Sequence, residues 1–228
     1  MTAMCGRFTL QIPAEMLFEV FGITETPSFP IEPRYNIAPT QQISVIRQYA
    51  DYQSRLDSMR WGLIPDWTKE TPVGPSLINA RSETIAEKPS FRQAIKYRRC
   101  LIPSSGFYEW KREGEKKAPL FIRLKDGSPT VFAGIWESWK GPDGKTADSC
   151  SILTTAANDL IARIHDRMPV ILRPGDWEQW LDRDQRDPEK LKPLCLPFPD
   201  GVMEMYPVST MVNSVKKDSP DLINPISV

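Results

Sequence analysis

A chain of 228 residues with 40% hydrophobic and 25% charged residues can bury one sizeable core, which excludes a disordered or fibrous chain. Lys+Arg and Asp+Glu balance at 29 each, so no global field draws it to nucleic acid, and such a partner needs a local cationic patch. No apolar run approaches the ~18–20 residues of a membrane span, and four scattered cysteines with a single histidine argue against a structural zinc site.

The N-terminus lacks a charged-then-apolar signal pattern, so the expected location is cytoplasmic, with reduced thiols. No phosphate-binding glycine loop occurs, which counts against nucleotide-driven chemistry; no cofactor and no metal are expected. Proline, at 22 residues, favours short strands and irregular loops over long helices.

In chain order, Met1-Thr2-Ala3 precede Met4-Cys5-Gly6-Arg7-Phe8, a candidate opening strand. Residues Pro13 to Phe21 predict a helix, with Pro13 at its first turn and Gly22 at its stop. A proline-rich loop from Thr24 to Pro33 runs into Arg34-Tyr35-Asn36-Ile37-Ala38-Pro39. Ile43 to Tyr49 and Leu56 to Ile64 read as partner strands, followed by a loop from Asp66 to Pro75 that carries Trp67. Ser90 to Tyr97 is a short helix candidate. Arg99 to Pro103 and Phe107 to Lys111 read as strands. Asp126-Gly127 signals a turn between Leu120–Leu124 and Val131–Trp136. A second turn, at Gly141 to Gly144, precedes a strand from Cys150 to Thr155. Asn158 to Ile164 reads as a short helix, Met168 to Leu172 as a strand, Asp176 to Leu181 and Pro188 to Leu194 as late helices, and Met203 to Val208 as a last strand. The absence of a βαβ rhythm predicts an α+β fold: one compact domain, a mainly antiparallel sheet system with short peripheral helices.

Several residues could carry chemistry. If the chain starts at Cys5, an α-amine of pKa about 7.7–8.0 and a thiol of about 8.5 sit on adjacent carbons. Such a pair condenses with one aldehyde to a thiazolidine. The alternative is a small buried thiol. Asn79, in Ile78-Asn79-Ala80-Arg81, can donate to and accept from a bound group, or cap a turn. Glu109 shares a strand face with Phe107 and Lys111, while Tyr108 and Trp110 take the other. A carboxylate beside aromatics is poised for a raised pKa and proton transfer, or it pairs with Lys111 or Arg112. His165 is the chain's one neutral-pH proton carrier, or a structural histidine at a helix end. Arg7, Arg34, Arg81 and Arg167 recur near these places and could bind phosphate bidentately. Trp61 and Trp67 could stack on bases, with core packing the alternative, stronger for Trp61. The run Lys96-Tyr97-Arg98-Arg99 reads as a solvated face.

Taken together, the ordered motifs Cys5-Gly6-Arg7-Phe8, Arg34 to Pro39, Trp61-Gly62, Ile78 to Thr84, Gly106 to Lys111, Thr154 to Ala157 and Ile164 to Pro169 resemble the SRAP family, the SOS-response-associated peptidases. The resemblance spans residue 5 to about residue 216. It implies the SRAP fold in residues 5–228, with residues 1–4 a leader that is removed or an upstream start. It also implies a sensor of abasic sites in single-stranded DNA that links to them covalently. The carry-over gives Cys5 as nucleophile with Asn79, Glu109 and His165 around it, Arg7, Arg81 and Trp67 as DNA contacts, and Thr154 lining the site. Arg34 and Arg167 join the DNA-binding set. Where relatives often pair tryptophans, this chain has Asp66-Trp67.

The implied partner is abasic single-stranded DNA, bound by a monomer of bacterial type that sits with the nucleoid when on DNA. Self-cleavage of the leader and a weak lyase side activity are further implications. Two other classes stay open: a cysteine peptidase or amidohydrolase acting in trans through Cys5 and His165, and a non-covalent reader of single-stranded or modified DNA.

Overall fold

Runs of apolar residues make strand the dominant regular structure of the chain. The computed structural model describes residues 6–226 apart from Thr71, Val73 and Glu115. Strands β1 (Phe8–Leu10), β2 (Arg34–Ile37), β7 (Gly106–Glu113), β8 (Lys116–Leu124) and β12 (Met203–Pro207) form an antiparallel sheet in the order β12-β8-β7-β1-β2. In the second sheet, β3 (Gln42–Gln48), β4 (Ser54–Trp61), β6 (Arg99–Ser104), β9 (Thr130–Lys140) and β10 (Thr146–Ala156) run in the order β10-β4-β3-β6-β9. Because β9 also pairs with β10, these five close into a ring. Closure satisfies backbone groups that an open edge would expose. Two short strands, β5 (Asn79–Arg81) and β11 (Arg167–Pro169), flank β10. β4 and β5 run parallel to β10; the other pairings are antiparallel, as expected for a mainly antiparallel system.

Phe8 and Phe107 from the first sheet interlock with Trp61 and Phe132 from the ring. Phe8 lies edge-on to Trp61 with centroids 5.2 Å apart, and Phe132 is 5.9 Å from Phe8 and 6.0 Å from Phe107. This contact fuses the two sheets into one core. Inside the ring the packing is close: a Cβ on Gly134 would lie 2.7 Å from Cys100 Sγ. The ring's outer face is covered by α2 (Ala94–Tyr97) and α3 (Trp177–Leu181), through Ile95, Trp180 and Leu181. The free face of the first sheet buries Tyr108 and Phe121 under Val208, Val212 and Leu222 of the C-terminal segment.

Helix α1 (Ala14–Phe21) follows Pro13 and ends at Gly22, whose φ of 61° is the left-handed stop expected there. Other expectations shift. The Ser90–Tyr97 helix shortens to the four residues of α2. Pro188–Cys195 is a 3₁₀ helix rather than an α-helix, with Pro193 lacking a donor inside it. Asn158–Ile164 tightens to a 3₁₀ turn at Ile161–Arg163. The Asp126-Gly127 turn forms, with the Gly127 N–H donating to Leu124 at 3.2 Å. Its flanking strands do not pair: β8 joins β7 and β12, while β9 joins β6 and β10. Turn chemistry reverses the chain locally, and the face each strand must bury decides its partner. β2 and β5 were not anticipated; each is too short to show periodicity.

Candidate active site

A cleft of about 350 Å³ opens where β1 begins, lined by Arg7, Glu109, Trp110, Arg112, Lys117, His165 and Asn213. Its floor follows from strand alternation on β7. Phe107 joins the inter-sheet core, whereas Tyr108 and Trp110 pack on the other face. Glu109 is therefore carried inward with Phe107 and is only 5% exposed. The Tyr108 N–H donates to the Arg7 carbonyl at 2.9 Å, which sets the start of β1 beside the Glu109 segment.

His165 follows the 3₁₀ turn, its N–H donating to Ile161 at 2.9 Å. Its Nδ1 accepts the Arg167 backbone N–H at 3.1 Å. In the neutral ring the proton then sits on Nε2, which leaves Nε2–H as the ring's donor. The Asp166 carboxylate, 3.0 Å from Nδ1, is 82% exposed and matches a doubly protonated ring only if the Arg167 contact is given up.

The arginines separate by partner. Arg7 donates through Nη1 to Asn36 Oδ1 (2.6 Å) and to the Val212 carbonyl (2.7 Å), and its guanidinium lies 5.8 Å from the Trp110 ring centre. These partners are neutral. Burial lowers the Arg7 pKa, against a smaller opposite pull from Tyr108. Asn36 is fully buried and also donates to the carbonyls of Val212, Ser214 and Lys217, tying Arg7 to the C-terminal segment. Arg34 is set apart from the cleft and pairs with Asp218 at 3.1 Å. Arg167 makes a two-pronged pair with Glu83 at 2.5 and 2.8 Å and donates to the Thr154 carbonyl at 2.7 Å. Burial pushes the Glu83 carboxyl up, but the Arg167 hydrogen bonds outweigh it and its pKa falls below the usual range. Arg81 is exposed, opposite Thr154 on β10. Among the described residues, neither Arg7 nor Arg81 has a carboxylate within salt-bridge distance.

Asn79 opens β5 opposite Ile152, and Thr154, two residues further along β10, is buried. Trp67 is 58% exposed on the loop after β4, held by Trp139 Nε1 donating to the Thr68 carbonyl at 2.7 Å; it does not line the cleft. Trp61 is fully buried and donates to the Ile78 carbonyl at 3.0 Å, so the packing alternative holds for it. Cys5 lies outside the described residues. Cys100, Cys150 and Cys195 are buried free thiols whose pKa burial raises, that of Cys195 to about 12, which makes them poor nucleophiles. No group of three or more His, Cys, Asp or Glu among the described residues could hold a metal ion.

Asn213, Arg112 and Lys117 were missed by sequence reasoning. Asn213 Oδ1 accepts from Trp110 Nε1 at 2.7 Å. Arg112 and Lys117 stand directly opposite each other across β7 and β8. Like charges in register destabilise a strand pair unless an anion joins them. That signal exists only once the register is known.

The family model for SOS response associated peptidase (SRAP) matches residues 4–215. The chain belongs to the SRAP family. The SRAP chain is 45% identical over 222 residues to abasic site processing protein YoqW of Bacillus subtilis, covering 96% of this chain and 99% of that one. It is 42% identical over 223 residues to abasic site processing protein YoaM of the same organism, covering 97% and 98%. Its fold matches a crystal structure of a protein from Bacteroides thetaiotaomicron with a TM-score of 0.85 at 26% identity, covering 98% of the SRAP chain and 100% of that chain.

Proposed function

We propose that this protein processes abasic sites in single-stranded DNA by forming a covalent thiazolidine through Cys5, in a form whose chain starts at that residue. The observation that carries the reading is one cleft in which buried Glu109 and His165 meet three cations, Arg7, Arg112 and Lys117. Gly6, to which Cys5 is bonded, is joined directly to Arg7 on the cleft wall. The names of YoqW and YoaM, abasic site processing proteins, support the same substrate.

An abasic deoxyribose exchanges between a closed ring and an open aldehyde. His165 Nε2–H donates to the ring oxygen as the ring opens. The Cys5 amine adds to the aldehyde carbon to give a carbinolamine. Glu109 moves the protons by which this intermediate loses one water and becomes an imine. The Cys5 thiolate then adds to the imine carbon, the nitrogen takes up a proton, and the five-membered ring closes. The product is the sum of protein and DNA less one water. Asn79 holds the N-terminal backbone or the product by hydrogen bonds. Gathering amine, thiol and aldehyde makes each step effectively unimolecular, a gain of up to about 7–11 kcal/mol for well-aligned groups. Arg7 and Arg81, free of carboxylates, hold flanking phosphates; Thr154 and Arg167 shape the wall beside Arg81, and Trp67 offers a ring to a flanking base. Stopping at the imine allows β-elimination and strand cleavage, so ring closure suppresses a lyase side reaction.

The test is intact-mass spectrometry of the protein mixed with an abasic single-stranded oligonucleotide. A chain beginning at Cys5 should give a heat-stable adduct at the summed mass less one water, and Cys5→Ala should give none. A stable adduct of normal yield with Cys5→Ala, or with a chain verified to retain residues 1–4, overturns the mechanism. Turnover of peptides in trans without any adduct would favour the peptidase class instead.

A further inference from the structure

A second cleft, of about 290 Å³, lies away from Cys5's neighbours and plays no part in the chemistry above. Its lining includes Arg47 from β3 and Tyr49 just after it, Tyr97 and Arg98 from the α2–β6 junction, Trp136 from β9, and Arg183 beyond α3. Among the described residues, no acidic side chain lines it. The carboxylates that balance it stand outside the lining: Asp57 and Asp148 lie 2.7 and 3.4 Å from Arg47, and Glu137 lies 2.6 Å from Arg98. Arg183 is exposed and, among the described residues, has no carboxylate within salt-bridge distance; its Nη1 donates only to the Gln48 carbonyl, at 3.4 Å. Guanidinium and ring planes alternate around the rim. Arg47 sits 4.3 Å from the Trp136 ring centre and 4.8 Å from that of Tyr49, whose ring also takes Arg55 at 4.4 Å. Arg186 stands 5.4 Å from the centre of Tyr97, a ring left 49% exposed.

Arg47 is fully engaged, with Nε on Asp57, Nη2 on the Tyr49 hydroxyl and Nη1 beside Asp148, so it fixes the cleft wall and leaves Arg183 to supply the N–H groups that face solvent. An exposed ring between cations offers a face to a planar base. That combination of cationic groove and aromatic platform is what a single-stranded nucleic acid requires, and it is indifferent to sequence. The separation of the two clefts sets a lower bound on the length of a strand that reaches both. Asp148, which faces Arg47, and Ala156, which pairs with Arg167 next to His165, are both on β10. At about 3.3 Å per residue the two ends of this stretch are about 26 Å apart. Residues 149–155 between those ends are buried, so a strand joining the clefts must pass over the surface, and at about 3.4 Å per nucleotide it needs at least about eight nucleotides.

We infer that this arginine–aromatic cleft is a second subsite for the single strand, binding nucleotides about eight or more positions from the lesion by phosphate contact to Arg183 and stacking on Tyr97. The inference rests on the abasic-DNA reading of the first cleft. It assigns the second cleft to affinity and the first to chemistry.

The experiment measures binding by fluorescence anisotropy, using oligonucleotides in which a non-reactive tetrahydrofuran replaces the abasic sugar. Arms on both sides are either about two or about ten nucleotides long, bracketing the span above. The long-arm oligonucleotide should bind at least about tenfold more tightly, and Arg183→Glu and Tyr97→Ala should each remove most of that gain. Both variants should leave short-arm binding, and crosslinking of a short abasic oligonucleotide, unchanged. Arg183→Ala should also lower the slope of log affinity against log salt by about 0.7 on the long arm alone. Equal binding of the two lengths, or equal weakening of both by the variants, overturns the inference. Because the tetrahydrofuran probe cannot crosslink, failure of the thiazolidine mechanism leaves this readout intact.

Discussion

The two clefts are both arginine-rich, yet they are built on opposite electrostatic plans. In the cleft at the start of β1, Arg7 is held by an amide oxygen and a carbonyl, so its position is fixed and its charge is not cancelled. In the cleft on the ring, Arg47 and Arg98 are matched by Asp57, Asp148 and Glu137. The first also holds a buried carboxylate and a histidine; among the described residues, neither group lines the second. The contrast teaches that arginine count does not locate chemistry. A cation left unmatched beside Glu109 and His165 can serve reacting atoms and phosphate, whereas a cation matched from behind serves the fold first.

The largest expected effect separates chemistry from binding. His165→Ala should slow adduct formation by about a hundredfold or more, the usual contribution of a positioned acid or base. Affinity for the tetrahydrofuran oligonucleotide should stay within about twofold, since His165 is not one of the charges that hold phosphate. A single-turnover gel assay reads the rate; an equal loss of rate and affinity would assign His165 to binding.

Next comes stability. Arg47→Ala should lower the unfolding free energy by about 3 kcal/mol, because Asp57 and Asp148 lose their shared partner in a partly buried site. Arg7→Ala should lower it by less, about 1–2 kcal/mol, since the partners left behind are neutral and the Val212 carbonyl keeps the Asn36 amide although the buried Asn36 Oδ1 loses its donor, while short-arm binding should weaken several-fold. Urea denaturation of both variants checks the contrast; similar losses would erase the distinction between the clefts.

A smaller effect tests the scaffold behind Arg7. Asn36→Ala removes the donor to the Lys217 carbonyl and one of the two donors to each of the Val212 and Ser214 carbonyls, and should cost about 1–2 kcal/mol. It should also weaken DNA binding, because Arg7 loses its anchor. Full-strength binding by the folded variant would show that Val212 alone positions Arg7.

The smallest is a pH effect at the Glu83–Arg167 pair. The folded-state pKa of Glu83 is lowered, so its stabilisation is present above the ordinary carboxylate pKa and is lost as pH falls through the folded value. With the Glu83 side chain 47% exposed, the effect should be about 0.5 kcal/mol. The difference in unfolding free energy between wild type and Glu83→Gln should shrink as pH falls below the ordinary carboxylate value of about 4.3. A difference that stays constant down to low pH would remove the ion pair from the account.

Much of this molecule is legible in its sequence because the signals are local. Pro13 and Gly22 bracket α1, and the hairpin at Gly141–Gly144 joins β9 to β10 as its turn residues require. The alternation of Phe107, Tyr108, Glu109 and Trp110 puts Glu109 on the face of Phe107, and the inter-sheet packing makes that face the inner one. Ordered motifs carry the SRAP family, which the match over residues 4–215 shows. Where local signals mislead, the competing force is long-range burial. The Asp126-Gly127 turn has hairpin chemistry but hands the chain from one sheet to the other. Arg99, read as part of a solvated run, is only 6% exposed: Trp180 and Leu181 cover it, its guanidinium donates to the carbonyls of Trp180, Asp182, Ile95 and Lys96, and burial lowers its pKa to about 10.

What the sequence by itself determined is the set of chemical groups and the strands that carry them, because side-chain chemistry and strand period need no distant partner. What only the tertiary structure decided is which charges remain available. Four arginines looked alike as phosphate ligands. Arg34 is matched by Asp218, 184 residues away, and Arg167 by Glu83, 84 residues away, while Arg7 and Arg81 have no carboxylate within salt-bridge distance among the described residues. Coulombic pairing acts through space and is blind to chain separation, so no reading of neighbours along the chain could have told these four apart.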